Sequence, residues 1–180
     1  MNNYKKKKDP IENRKLILEA AIELANTLEL SQISFDALSK KTGLSKGGII
    51  HHFPTKESIF DTLFKENFEE YQNWVQEELQ SENLANPAVA LLRVTLRKCN
   101  DDSYRKLMKV IYKCLVNNDQ YCQLWNEWFS KCIIKDLDED SEIKTLLGSL
   151  VAIGIWNMNT LGLYNIESQK MNQILNIVPK

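Results

Sequence analysis

The chain has 180 residues, 43% of them hydrophobic, with only 6 Gly and 4 Pro, a composition that excludes a disordered or collagen-like chain and leans towards a helical globule. Its formal net charge is −1, yet residues 1–60 hold ten Lys or Arg against seven Asp or Glu, and the remainder holds thirteen against seventeen. The first third is therefore basic and the rest acidic. With no apolar signal segment near the start and no run of about 18 apolar residues to span a bilayer, the expected location is cytoplasmic.

Residues 1–10, "MNNYKKKKDP", read as a basic disordered tail, either simply solvated or drawn to a polyanion. From Ile11 the apolar positions Ile17, Ala20, Ala21, Leu24 and Leu28 recur at helical spacing, and a first helix is expected to end near Leu30. Ser34 is a good N-cap for a short second helix, "FDALSKK"; Gly43 breaks it and Ser45 caps a third. That third helix carries Gly47 and Gly48 in its first turn, where each costs on the order of 1 kcal/mol relative to alanine, so some other gain must offset them. Pro54 ends it. Thr55 caps a long fourth helix with Glu57 in its first turn and a stripe of Phe60, Leu63, Phe64, Phe68, Tyr71, Val75 and Leu79.

Asn86 and Pro87 open a fifth helix, Ser103 or its acidic neighbours a sixth, and "NND" at 117–119 stops the sixth and caps a seventh bearing Tyr121, Leu124, Trp125, Trp128 and Phe129. After the acidic "DLDEDS", residues Ile143 to Leu161 leave hardly any polar face, which predicts a helix buried on all sides. Gly162 ends it, and a final helix presents Met171, Ile174, Leu175 and Val178. The whole reads as all-α, with about nine helices. So much C-terminal apolar surface predicts a homodimer through a two-fold bundle of the last two helices, with Leu147, Leu150, Val151, Gly154 and Met158 of one and Met171, Ile174 and Leu175 of the other at the interface. The alternative is that both helices pack inside one monomer.

Cys99, Cys114, Cys122 and Cys132 form no C-x-x-C pair and read as small buried apolar residues, without a metal. His51 and His52, the two histidines of the chain, lie about 100° apart on a helix and cannot both face one ion. No metal or cofactor is expected.

The stretch "SFDALSKKTGLSKGGIIHHF" fits two short helices joined by a glycine-bearing turn, a helix-turn-helix whose second helix enters the DNA major groove. Without side chains at Gly47 and Gly48 the start of that helix can lie against base edges and phosphates. Lys46 can then reach a guanine or a phosphate, and His51 or His52 a phosphate or base acceptor. Thr55, Lys56 and Ser34 suit the flanking phosphates.

Residues 11–65, and above all "GLSKGGIIHHFPTKESI", resemble the DNA-binding domain of the TetR/AcrR family of transcriptional repressors, whose pattern is GxSKGxxYxHFxxKExL. The resemblance places Ser45, Lys46, Gly47 and Gly48 at the recognition-helix start, His52 before the family's aromatic, and Lys56 as the phosphate-binding lysine. Ile50 stands where the family commonly has a DNA-contacting tyrosine, with His51 beside it as a substitute. It implies a DNA-binding domain over 11–56, a helical ligand-binding and dimerisation domain over 57–180, a palindromic double-stranded operator and release by a small effector.

Trp74, Trp125, Trp128 and Trp156 lie outside the DNA-binding part, with Met108 and Tyr112 at plausible facing positions. They are either ordinary core or the lining of a pocket able to stack flat aromatic or cationic molecules, and the C-terminal layout resembles short multidrug-binding members of the family. No membrane partner is implied. An enzyme is disfavoured because the C-terminal part has no His, nucleophile elbow, phosphate loop or metal-ligand spacing. An activator or co-ligand-dependent regulator of the same fold, or a small-molecule binder without DNA function, is the alternative.

Overall fold

The computed structural model describes residues 9–82, 86–164 and 166–177. They form nine α-helices and no strand: α1 Pro10–Ala25, α2 Phe35–Thr42, α3 Lys46–His52, α4 Lys56–Glu82, α5 Pro87–Lys98, α6 Asp102–Asn117, α7 Asp119–Phe129, α8 Glu139–Leu161 and α9 Ser168–Ile177. The all-α fold expected from composition and capping is the one found. Two compact units, Met1–Lys65 and Glu66–Lys180, divide the chain, so the division falls inside α4 and not at its start. A helix cap at Thr55 marks where a helix begins, and packing decides where a unit ends.

In the first unit, α1 starts at Pro10 because the Asp9 carboxylate accepts from the Ile11 and Glu12 amides at 3.0 and 3.4 Å. Asp9 and Pro10 thus belong to the helix and not to the expected tail, of which residues 1–8 lie outside the described residues. α1 also stops at Ala25, short of Leu30. There Asn26 Nδ2 donates to the Ile22 carbonyl at 2.8 Å and Thr27 Oγ1 to the Leu24 carbonyl at 3.1 Å, engaging acceptors at the helix end. One 3₁₀ turn, Leu30–Gln32, follows. α1, α2 and α3 pack on one another around Ile17, Ala21, Leu38, Ile49 and Phe53. Burying an aliphatic side chain of this size contributes roughly 1.5–3 kcal/mol.

The second unit is organised around α5, in which Ala88 to Leu92, Val94 and Thr95 are all buried. This, and not α8, is the helix enclosed on nearly every side. α8 packs against α5 and α6 and turns inward Thr145, Gly148, Ser149, Ala152, Ile155, Trp156, Asn159 and Thr160. Its larger residues Ile143, Leu146, Leu147, Leu150, Ile153, Met158 and Leu161 face outward. The expectation of burial all round fails because small residues allow closer helix packing, so the side bearing Gly148, Ser149 and Ala152 turns inward. α9 packs on α5. Its Met171 is buried, with Sδ 3.7 Å from Cys99 Sγ, and so lies in the core of its own unit and not on an outer face. Val178 lies outside the described residues. Cys99 and Cys114 are buried as expected, but Cys122 and Cys132 are exposed, since the first sits on the outer side of α7 and the second in a π-helical turn, Ser130–Ile134, that periodicity does not reveal.

Asn86 ties α5 to α8. Its buried Oδ1 accepts from the Ala88 amide at 2.9 Å, capping α5, and from Thr145 Oγ1 of α8 at 3.1 Å. Asn86→Ala removes the cap and strands a buried hydroxyl, so the second unit loses about 2 kcal/mol. Urea unfolding followed by tryptophan fluorescence measures this, because all four tryptophans lie in that unit. Unchanged stability would mean that the cap and the cross-helix bond contribute nothing.

Candidate nucleic-acid interface and aromatic cluster

The geometry of the α2–α3 pair follows from short capping side chains. Ser34 Oγ accepts from the Ala37 amide at 3.2 Å to start α2. Gly43, at φ +73°, ends it in the left-handed region that glycine adopts without strain. Ser39 Oγ then donates to the Leu44 carbonyl at 2.6 Å and Ser45 Oγ accepts from the Gly48 amide at 3.1 Å, so the turn between the helices is closed by hydroxyls on both sides. Ile49 is fully buried and anchors α3, while Ser45, Lys46, Gly47, Ile50 and His51 are exposed.

The two glycines differ. A Cβ at Gly47 would meet nothing within 4 Å, whereas one at Gly48 would lie 3.2 Å from Ser45 Oγ, against the capping hydroxyl. Gly48 therefore has a reason within its own turn. Gly47 has none. Ile50 is 40% exposed on the same short helix as His51. The rings of His51 and His52 stand edge to face at 5.6 Å, and no group of metal-ligating side chains occurs among the described residues.

At the start of α4, Thr55 Oγ1 accepts from the Ser58 amide at 3.1 Å, and Lys56 Nζ donates to the Ser31 carbonyl at 3.1 Å, which fixes the lysine against the turn before α2. Lys46 Nζ is 3.1 and 3.3 Å from the two carboxylate oxygens of Asp36 on α2. Neither Ser31 nor Asp36 stands out in the sequence, because both contacts cross between elements.

In the second unit the tryptophans meet through Phe68 and Tyr71 of the α4 stripe and through Tyr104. Tyr71 lies 5.5 Å from Trp125, 5.7 Å from Trp128 and 6.5 Å from Trp156 between ring centroids. Phe68 lies 5.9 Å from both Trp125 and Trp128. Tyr104 joins Trp156, at 5.2 Å, to Trp74, at 5.5 Å. Most of these pairs are steeply inclined, the edge-to-face arrangement that ring quadrupoles favour. Met108 and Tyr112 are half-buried on α6, and Tyr112 is hydrogen-bonded to Thr160. Burial pushes the phenols of Tyr71 and Tyr112 well above their ordinary range. It raises Tyr104 to about 12 against the lowering effect of its hydrogen bond from Asn67. All three are neutral donor–acceptors at physiological pH.

Residues 17–63 match the family described as bacterial regulatory proteins, tetR family. The chain carries a TetR-family DNA-binding domain. α2 and α3 are the helix-turn-helix of that domain. No curated protein matches the sequence. Among solved structures it is similar to Salmonella enterica GusR, at 20% identity over 95% of this chain and 97% of that one with a TM-score of 0.63. It is also similar to the multidrug binding protein EbrR complexed with malachite green, at 16% identity over 94% and 99% with a TM-score of 0.71. A third is a transcriptional regulator from Saccharomonospora viridis in complex with choline, at 20% over 92% and 94% with a TM-score of 0.65. At these identities the likeness is one of fold. No described helix is long and apolar enough to cross a membrane.

Gly47 gives a clean separation of folding from recognition. Gly47→Ala enters open space and raises helix propensity, so it leaves the thermal midpoint of the free protein unchanged or higher by the equivalent of up to about 1 kcal/mol. If close approach to DNA is what the glycine serves, the same variant weakens operator binding by tenfold or more in a polarisation titration. Unchanged binding would remove Gly47 from the interface.

Proposed function

We propose that the protein is a homodimeric, effector-responsive transcriptional repressor that reads a palindromic operator with the start of α3 in the major groove of each half-site. The observation that carries this reading is the exposed, glycine-bearing start of α3 inside a TetR-family domain, where Gly47 has no internal packing role. In this reading Lys46 and His51 reach base edges or phosphates. Ser34, Ser45, Thr55 and Lys56 hold the flanking phosphates, Gly47 and Gly48 admit the backbone, and Ile50 and His52 line the groove.

The outward face of α8 supports the dimer. Ile143, Leu146, Leu147, Leu150, Met158 and Leu161 recur at helical spacing and are exposed, with Val151 and Gly154 half-exposed beside them, and a contiguous apolar stripe of this kind suits a second copy related by a two-fold axis. Ile174 and Leu175 of α9 remain in the proposed interface, whereas Met171 supports it from within. Leu150→Glu, at a side chain 65% exposed, is tolerated by the protomer fold and yields a monomer in sedimentation velocity. A dimer that persists would move the interface elsewhere.

The aromatic cluster is the proposed effector site, with Trp125, Trp156, Trp74, Tyr112 and Trp128 around Tyr71 and with Met108 as an adaptable wall. The effector is a small aromatic molecule; a positive charge on it is the expectation that four tryptophans raise, and the malachite green and choline bound by two proteins of similar fold are in keeping with that. Release requires differential affinity, since a ligand that binds the DNA-competent and DNA-incompetent forms equally shifts nothing. α4 is the natural lever. One continuous helix holds Lys56 at its start and Tyr71 and Trp74 further along.

Fluorescence polarisation against labelled DNA from upstream of the protein's own gene, with unrelated DNA as control, tests the regulator reading. The expected result is tight, salt-sensitive binding to one fragment. Lys56→Ala should weaken operator and unrelated DNA by similar factors and lower the salt slope by about one ion. Loss of operator binding alone would make Lys56 a specificity contact.

A further inference from the structure

One cation is already seated in the aromatic cluster. Lys98, the last residue of α5, places its Nζ 3.6 Å from the ring centroid of Trp74 and 5.9 Å from that of Tyr104. The first distance is that of a direct cation–π contact. Lys98 is half-buried, and among the described residues no carboxylate pairs with it. The face that a cationic ligand would seek on Trp74 is occupied by the chain itself.

The remaining polar demand of the cluster has the opposite sense. Trp156 is 7% exposed and its Nε1, a donor only, is buried without a hydrogen-bond partner among the described residues. A buried N–H left without an acceptor costs roughly 1–3 kcal/mol, so a ligand that supplies an acceptor recovers that cost on binding. The acids nearest the cluster are an ion-paired one and a solvent-exposed one. Glu78 pairs with Arg97 at 2.9 Å and Arg93 at 3.7 Å, and Glu70, whose field reaches Tyr104, is exposed to water. A second positive charge within about 8 Å of Lys98 is repelled strongly enough, in a partly buried site, to cost tenfold or more in affinity.

We infer that the cluster selects a flat ligand bearing a hydrogen-bond acceptor and no positive charge, with Trp156 Nε1–H donating to the acceptor and Lys98 acting as a tethered cation that excludes cationic ligands from the Trp74–Tyr104 face. This rests on the effector reading above and corrects its charge. Lys98 is then a specificity-determining residue, and the neutral or acidic aromatics are the chemical class to screen.

Acridone and 9-aminoacridine share a three-ring frame but present a carbonyl acceptor and a cation respectively, and equilibrium dialysis of each against the full-length protein at pH 7 tests the inference. Acridone is expected to bind at least tenfold more tightly. Lys98→Met removes the charge from the Trp74 face, so it raises 9-aminoacridine affinity by about tenfold and leaves acridone within threefold. Trp156→Phe keeps the ring and deletes the donor, so it weakens acridone by fivefold or more and leaves 9-aminoacridine unchanged. Equal or tighter binding of 9-aminoacridine by the wild-type protein, or a ratio unmoved by Lys98→Met, overturns the inference while the effector site stands. Failure of both probes to bind the wild-type protein and every variant overturns the effector site and the inference together.

Discussion

The second unit depends on which side of α8 faces inward. Gly148, Ser149 and Ala152 are its buried positions at the middle of the helix, and with side chains this small a neighbouring helix backbone can come close. α5 takes that place, enclosed from Ala88 to Thr95, and Asn86 closes the contact by accepting from both helices. The cost is on the other side. Large apolar residues from Ile143 to Leu161 are left facing water, and burying them against a second copy at roughly 25 cal/mol per Å² is the obvious way to recover that free energy. In the proposed dimer, protomer packing and assembly use the two faces of one helix.

The same placement builds the aromatic cluster. Trp156 lies on the inward side of α8 and meets Tyr104 of α6 and Tyr71 of α4, and Trp125 and Trp128 of α7 close on Tyr71 from their own helix. Phenols with raised pKa values remain uncharged, so the rings themselves supply no anion, and the nearby Glu70 is exposed to water. Its fixed charge is Lys98, held on a ring and also at a helix C-terminus, where the dipole favours a cation.

The first unit was far more legible in the sequence than the second. Its helix starts are written in side chains that act locally: Ser34, Ser45 and Thr55 each bond an amide three residues on, and Gly43 supplies the one left-handed residue the turn needs. Spacing along the chain is enough to find such contacts. The bonds of Lys46 to Asp36 and Lys56 to Ser31 span ten and twenty-five residues, and no pattern announces them. In the second unit the helices themselves were legible, from Asn86 and Pro87, from Asn118 and from Gly162. What could not be read was orientation. A helix with apolar residues on every side can be turned either way, and only the sizes of Gly148, Ser149 and Ala152 hint at the answer. Tyr71 was visible as a stripe residue of α4, but the role of Tyr71 and Tyr104 as the joints between four tryptophans depends on how α4, α6, α7 and α8 pack.

The internal ion pairs of the first unit bear on how such a head discriminates. Lys46 with Asp36 and Lys41 with Glu23 are each paired before any phosphate arrives. Exposed pairs of this kind contribute about 0–1 kcal/mol, so a phosphate or a guanine can displace the carboxylate at little cost. The acid nevertheless stays in place beside the lysine, and its charge opposes every phosphate equally. Generic attraction to the backbone falls, while a contact that depends on fit at the glycine-bearing start of α3 is untouched. In the proposed interface that phosphate attraction enters specific and non-specific binding alike, so the acids lower overall affinity and leave discrimination between sequences to the fit at the start of α3.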